Sequence, residues 1–405
     1  MNHPTAAARL LQLLSIRPNP SLPDQVGQLD LGAWRHLLRQ AQYQRIVPLL
    51  AYHVRQNPEA WSLVPTTIQQ AFKERNRVSS LLSLKAYSQL QRLLPCLQAE
   101  DIPVIGLKGA HLAEFVYPKR ILRPMRDIDL LIHRRDLEAV DRIMHSLGYE
   151  LSGDEEWHAQ NHFHFGYWSP DVNFTIEIHW DIQKPSSAFP VDLASWWEHA
   201  EQKTVGQSHM LVLSPEEALI HACIHLVKHL GQDGFKPLCD VAIMLHSETF
   251  AIDWARFIRI VNEQAVIKPI NLTLRLASDL LGVDVPQEVI AGVYDPKLTD
   301  SVYVWFREQV TSDMPVEKGT RVSSHFAKLW RTRNPFTKVS MILRSMRLAP
   351  DGDPTRENSA AATNTSLDNN LFLNRFGRYW QRTVELLRGD PELETEIDVM
   401  NWVSS

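Results

Sequence analysis

Glycine is scarce in this chain, 16 among 405 residues, and the scarcity tells weakly against the glycine-rich loops with which Walker and Rossmann enzymes cradle phosphate. Cysteine is scarcer. Only Cys96, Cys223 and Cys239 are present, widely spaced and without a C-x-x-C pair, so they supply neither a disulfide framework nor a zinc site of their own. No segment approaches the roughly 18 consecutive apolar residues of a membrane span. Met1 to Leu14 lacks the basic start, apolar run and small-residue cleavage site of a signal peptide, so cytoplasmic residence is expected. An excess of one charge is missing too. Lys plus Arg number 42 against 47 Asp plus Glu, a formal balance of −5, which advertises no broad nucleic-acid footprint.

What is present is a globular composition, 44% hydrophobic and 22% charged, with 12 Trp and 17 His. The length favours two or three compact units. Residues 1–100 carry apolar groups at helical spacing, among them Leu37, Leu38, Ala41, Ile46, Leu49, Leu50 and Val54, and read as an N-terminal helical region whose last helix runs from about Thr67 to Leu97. Residues 101–210 change texture. Ile102 to Ile105 reads as a buried strand ending in Gly106-Leu-Lys-Gly109 before a helical stretch from Ala110 to Val116. Asp127 to Ile132 reads as a second strand, followed by an apolar stripe of Leu137, Val140, Ile143, Met144 and Leu147 that stops at Gly148. Phe163 to Tyr167 and Phe174 to Ile182 alternate and predict an antiparallel hairpin added to the sheet. Ser214-Pro-Glu-Glu217 places an N-cap serine, a first-turn proline and a third-position glutamate at the start of a C-terminal helical domain, 211–348. Residues 349–370 are small and polar and predict a mobile loop. The remainder, 371–405, predicts a C-terminal helix and tail, with the helix near Leu371 to Leu387.

The acids carry the chemistry. Period-two alternation puts Asp127 and Asp129 on one face of their strand while Ile128, Leu130 and Ile132 enter the core. In the hairpin's second strand Phe174, Ile176, Ile178, Trp180 and Ile182 share a face, which leaves Glu177 and His179 on the other. If both strands lie in one sheet over one core, three carboxylates converge. Like charges that close repel unless a divalent cation neutralises them, and oxygen-only ligands suit Mg²⁺ or Mn²⁺. An Asp-x-Asp alone means little, since about one arises by chance in a chain of this length, and Asp351-Gly-Asp353 is a second.

Gly106-Leu-Lys-Gly-Ala-His-Leu112, Tyr117-Pro118, Arg123-Pro-Met-Arg-Asp-Ile-Asp-Leu-Leu131, Leu147-Gly-Tyr149 and Ile176-Glu-Ile-His-Trp180 together resemble the uncharacterised nucleotidyltransferase family of the polymerase β-like superfamily. The helical run Leu219 to His229 and Asp240 extends the likeness, which covers roughly residues 30 to 250. The resemblance implies an α+β fold with a small mixed-sheet core between helical regions. It also implies transfer of a nucleoside monophosphate from an NTP to an acceptor hydroxyl or similar group, with release of pyrophosphate. Carried over, Asp127, Asp129 and Glu177 are catalytic and hold two Mg²⁺ or Mn²⁺ ions, and Glu177 can take the acceptor's proton. Lys108, Gly109, Arg123, Arg126 and His179 are the expected nucleotide-binding residues, Gly109 by letting the backbone approach the phosphates. One departure stands out. The superfamily's turn has glycine followed by glycine or serine, whereas Gly109 is followed by Ala110 and His111, so phosphate binding relies on backbone and Lys108.

Near-neutral charge favours a small molecule, sugar, peptide or protein side chain over nucleic acid as the acceptor. Two further readings stay open. One is a catalytically silent relative that binds or regulates. The other is a metallohydrolase built on His221, His225 and His229, spaced i, i+4, i+8, with Asp240; the same histidines can instead line a cleft or cap carbonyls.

Overall fold

The computed structural model describes residues 10, 12–14, 19–152, 163–183, 187–229, 235–312 and 391–404. The expected loop 349–370, the expected helix near Leu371 to Leu387 and the whole segment 313–348 lie outside them. The chain forms two compact units, residues 1–295 with 309–314, and residues 296–308 with 315–405. In the second unit the helix Pro391–Ser404 buries Leu393, Ile397, Val399 and Trp402, and Trp402 meets Phe306 edge to face at 5.8 Å between ring centroids.

The first unit is α+β. Its N-terminal helices include α1 (Leu31–Tyr43), α2 (Val47–Gln56) and α3 (Thr66–Ala99). Asp30 caps α1 by accepting from the Ala33 amide, and Pro48 sits in the first turn of α2, where a missing N–H costs nothing. The 34-residue α3 buries Ala86, Leu90, Leu93, Leu94 and Leu97. That stripe forms one wall of a core whose other wall is the apolar face of a sheet.

The sheet has seven strands in the order β3-β4-β5-β2-β1-β7-β6: β1 Ile105–Gly106, β2 Asp127–Leu131, β3 Glu150–Ser152, β4 His164–Ser169, β5 Phe174–His179, β6 Glu201–Val205 and β7 Ser208–Val212. It is mixed. β1 runs parallel to β7 and antiparallel to β2, β2 runs parallel to β5, and β3-β4, β4-β5 and β6-β7 are antiparallel. The 163–182 hairpin forms as its alternation implies. The Ile102 to Ile105 strand pairs over two residues only, because Pro103 has no N–H to give, although Val104 O and Leu107 N extend the bonding to Leu211 and Asp129. The β6-β7 hairpin was not apparent in the sequence reading. It turns at Gly206, whose φ of +64° is in the left-handed region, and only Val205, Ser208, Met210 and Val212 on it are buried.

Between strands, α4 (Lys108–Phe115) and α5 (Leu137–Ser146) follow β1 and β2. Val140 and Met144 of α5 are buried, and the helix ends where Gly148 adopts φ +78°. After the sheet come α6 (Pro215–Lys228), α7 (Phe235–His246), α8 (Trp254–Glu263) and α9 (Ile267–Leu281). Ser214 caps α6 as its motif implies. Glu217 does not reach back in a capping box; it pairs instead with Arg256 of α8, as does Glu216. The start of α6 is thereby tied to α8.

Candidate active site

The parallel pairing of β2 with β5 sets Asp129 directly opposite Glu177, Asp127 opposite Thr175 and Leu131 opposite His179. Because neighbours in a ladder face the same side, Asp127, Asp129, Glu177 and His179 project together from the sheet, while Ile128, Leu130, Ile176 and Ile178 are fully buried on the other face. The convergence read from alternation is therefore present in the fold. Asp127 is exposed at the strand's start, Asp129 is 5% exposed, and Glu177 lies between.

Two side chains already attend Asp129. Lys108 Nζ donates to its Oδ1 at 2.7 Å, and His179 Nε2 is 3.1 Å from the same oxygen and 3.3 Å from Glu177 Oε2. Lys108 reaches this position from a backbone φ of +42°, uncommon for a residue with a side chain, and Leu107 N bonds to Asp129 O at 3.0 Å, which fixes the turn beside the acid. Burial would raise the Asp129 carboxyl, but Lys108 and His179 outweigh it and hold the group well below the usual carboxylate range. Asp127 has no such help. Burial, then Asp129 and Glu177, push its pKa up. Burial lowers His179, yet its hydrogen bonds to Asp129 and Glu177 leave it raised.

The other expected phosphate contacts are placed differently. Arg123 is buried, with Nε and Nη2 each 2.8 Å from Asp240 of α7, and Tyr117 OH donates to Asp240 at 2.7 Å. Its guanidinium lines the cleft but its charge is balanced by a side chain 117 residues away. Among the described residues, Asp240 and the histidine stripe are not drawn together closely enough to share a metal. Arg126 is exposed and is not among the residues that line the cleft, although its neighbour Asp127 is. Gly109 is the second residue of α4, and a Cβ there would collide with Met125 and come within 2.6 Å of Arg123 Nη1. Packing within the protein is one demand for glycine at 109.

These groups open into a cleft of about 540 Å³ between the polar face of the sheet and the helices that follow it. That volume falls in the range of small-molecule sites. His221, His225 and His229 line it, in keeping with the cleft-lining alternative. Burial and Lys108 depress His221 to about 3 and His225 well below its ordinary value, so both imidazoles are neutral.

Sequence reasoning did not single out Lys236, Arg45 or His164. All three line the same cleft. Burial, then Arg123, lowers the Lys236 ammonium to about 8. Arg45, with φ +58°, follows α1. His164 stands opposite His179 across β4-β5, the rings stacked at 4.9 Å and 27°. The histidine had a signal, since Phe163-His-Phe places it one strand over on the alternating polar face. The two cations had none, being brought in from distant helices.

No helix among the described residues is long and apolar enough to cross a membrane. Among curated proteins no match is found. The solved structures that align with this chain include the following two. The antibiotic-resistance factor ANT(2'')-Ia, in solution, is 12% identical over 46% of this chain and 96% of its own, with a TM-score of 0.33. An antigenic nucleotidyltransferase-like protein from Paracoccidioides brasiliensis is 14% identical over 54% and 96%, with a TM-score of 0.27. Superpositions that loose carry no argument. The family match is of another order: residues 31–282 fit the profile described as "Uncharacterised nucleotidyltransferase", a stretch that holds the sheet, the carboxylates and the helices α6 to α9 around the cleft. By that match the chain belongs to the uncharacterised nucleotidyltransferase family.

Proposed function

We propose that the cleft binds an NTP with Mg²⁺ or Mn²⁺ and transfers the nucleoside monophosphate to an acceptor hydroxyl or similar group, releasing pyrophosphate. The observation that carries this reading is the register of β2 against β5, which sets Asp129 beside Glu177 with Asp127 two residues before on the same face. The residues fit a hard divalent cation. Three carboxylates supply oxygen donors, and the Asp127 pKa, raised by burial and then by Asp129 and Glu177, includes a like-charge contribution that a cation would relieve. When bound, such ions neutralise triphosphate charge and stabilise the attacking and leaving oxygens of an in-line displacement.

Each residue then has a role. Asp127, Asp129 and Glu177 would hold the metal. Glu177, with a side chain 28% exposed, is open to accept the acceptor's proton. Lys108 and Lys236, which both line the cleft, balance phosphate charge. His179 orients Asp129 and Glu177. The neutral imidazoles of His221 and His225 offer hydrogen bonds to base or acceptor without repelling metal. The acceptor is a small molecule, sugar, peptide or protein side chain, and the compartment cytoplasmic.

The neutralisation of Asp129 by Lys108 and His179 gives a second reading some support: the cluster balances much of its own charge, as a silent nucleotide-binding relative would require. Incubation with each NTP, Mg²⁺ or Mn²⁺ and a panel of acceptors separates the two. Pyrophosphate release by wild type and its loss in Glu177→Gln supports transfer; nucleotide binding without release in the presence of a true acceptor supports the silent form.

A further inference from the structure

We propose that His164, Glu177 and His179 form a site for a borderline-soft divalent cation such as Zn²⁺, beside the carboxylate cluster and distinct from it in metal preference. One ligand atom from each of the three lies within 4.8 Å of the others. Ligands of a single tetrahedral zinc ion, each about 2.1 Å from the metal, stand about 3.4 Å apart, so side-chain rotation of about an ångström closes the set. The backbone brings them together: His164 and His179 are cross-strand partners on β4 and β5, Glu177 is on the same face of β5, and Gly166, opposite Glu177, has no side chain to compete. A second observation points to a ligand. His179 is 3% exposed, and its Nδ1 is buried with no hydrogen-bond partner among the described residues, an arrangement that costs free energy unless something occupies that nitrogen. Imidazole nitrogen binds zinc-class ions and is a poor donor to Mg²⁺. Two histidines and one carboxylate leave coordination positions open toward the cleft for water or an acceptor oxygen. Three oxygens at Asp127, Asp129 and Glu177 suit Mg²⁺; two nitrogens and one oxygen do not.

The site shares Glu177 with the proposed transfer reaction, so its test uses no nucleotide. Chelator-treated full-length protein is titrated with Co²⁺, a spectroscopic stand-in for Zn²⁺. The expected result is a visible absorption band that a hundredfold excess of Mg²⁺ leaves in place and Zn²⁺ removes. His164→Ala should weaken Co²⁺ binding by at least about 10- to 100-fold, while Asp127→Asn retains the band. Displacement by Mg²⁺ in the wild type, which requires no variant, would overturn the proposal. So would equal affinity in His164→Ala, with folding checked by circular dichroism and repeated in His164→Gln. Loss of pyrophosphate release with an intact Co²⁺ band would sink the transferase reading and leave this site standing; the reverse result would do the opposite.

Discussion

Replacing Arg123 with alanine distinguishes a structural guanidinium from a phosphate ligand. In the wild type two guanidinium nitrogens and the Tyr117 hydroxyl satisfy a buried Asp240 at 2.7–2.8 Å. Burial would lower the Arg123 pKa, but Asp240 more than reverses that. Truncation leaves Asp240 buried with Tyr117 as its remaining partner in the triad, and loss of one partner of a buried pair costs about 3–5 kcal/mol. With a urea dependence of about 3 kcal/mol/M, the unfolding midpoint falls by about 1 to 1.7 M, read by tryptophan fluorescence. Asp240→Asn should cost a comparable amount. The double variant Arg123→Met/Asp240→Leu should recover much of the loss, since replacing both partners by apolar groups removes the uncompensated charge. If Arg123→Ala leaves the midpoint unchanged and instead raises KM for the NTP, the guanidinium faces substrate and the reasoning is wrong.

Asp127→Asn removes an exposed acid that its neighbours repel. Without metal the variant should be at least as stable as wild type by thermal unfolding, with turnover reduced by about 10²-fold or more; a clear loss of stability would show Asp127 to be structural. His111 and His221 are buried and depressed to about 3, chiefly by burial, then by Lys203 and Arg123 for the first and by Lys108 for the second. A histidine with a depressed folded pKa contributes stability present above about 6.5 and lost as pH falls toward the folded value. Between pH 6.5 and 5 each should cost about 2 kcal/mol, and equal urea midpoints at pH 7 and 5 would refute this. Gly109→Ala should destabilise by about 1–3 kcal/mol through overpacking against Met125, with recovery in Gly109→Ala/Met125→Ala; a change in KM alone would restore the phosphate role to that glycine.

The carboxylate cluster was legible because it depends on period-two alternation in two strands with clean apolar faces, Ile128-x-Leu130 and Ile176-x-Ile178. Alternation fixes which face an acid takes. Their adjacency in parallel register was not, because strand order is set by the whole sheet. Arg123 shows the limit from the other side. Its neighbours in sequence place it near Asp127, while its partner Asp240 comes from a helix 117 residues on, and no local pattern reports that pair. Lys236 and Arg45 reach the cleft in the same long-range way. The β6-β7 hairpin was missed because Glu201-Gln-Lys-Thr carries little apolar signal, being an edge strand with one face to solvent. The resemblance implies a phosphate contact at Gly109; the neighbour that crowds a Cβ there, Met125, becomes visible only in three dimensions.

The most direct test of transfer chemistry in this cleft follows the α-phosphate. With NTP labelled at that position, Mg²⁺ or Mn²⁺ and a competent acceptor, the wild type should move the label to the acceptor and release unlabelled pyrophosphate in equal amount, and Asp127→Asn and Glu177→Gln should do neither. Transfer that persists in both variants, or label released only as free phosphate, would contradict the assignment of nucleotidyl transfer to these carboxylates.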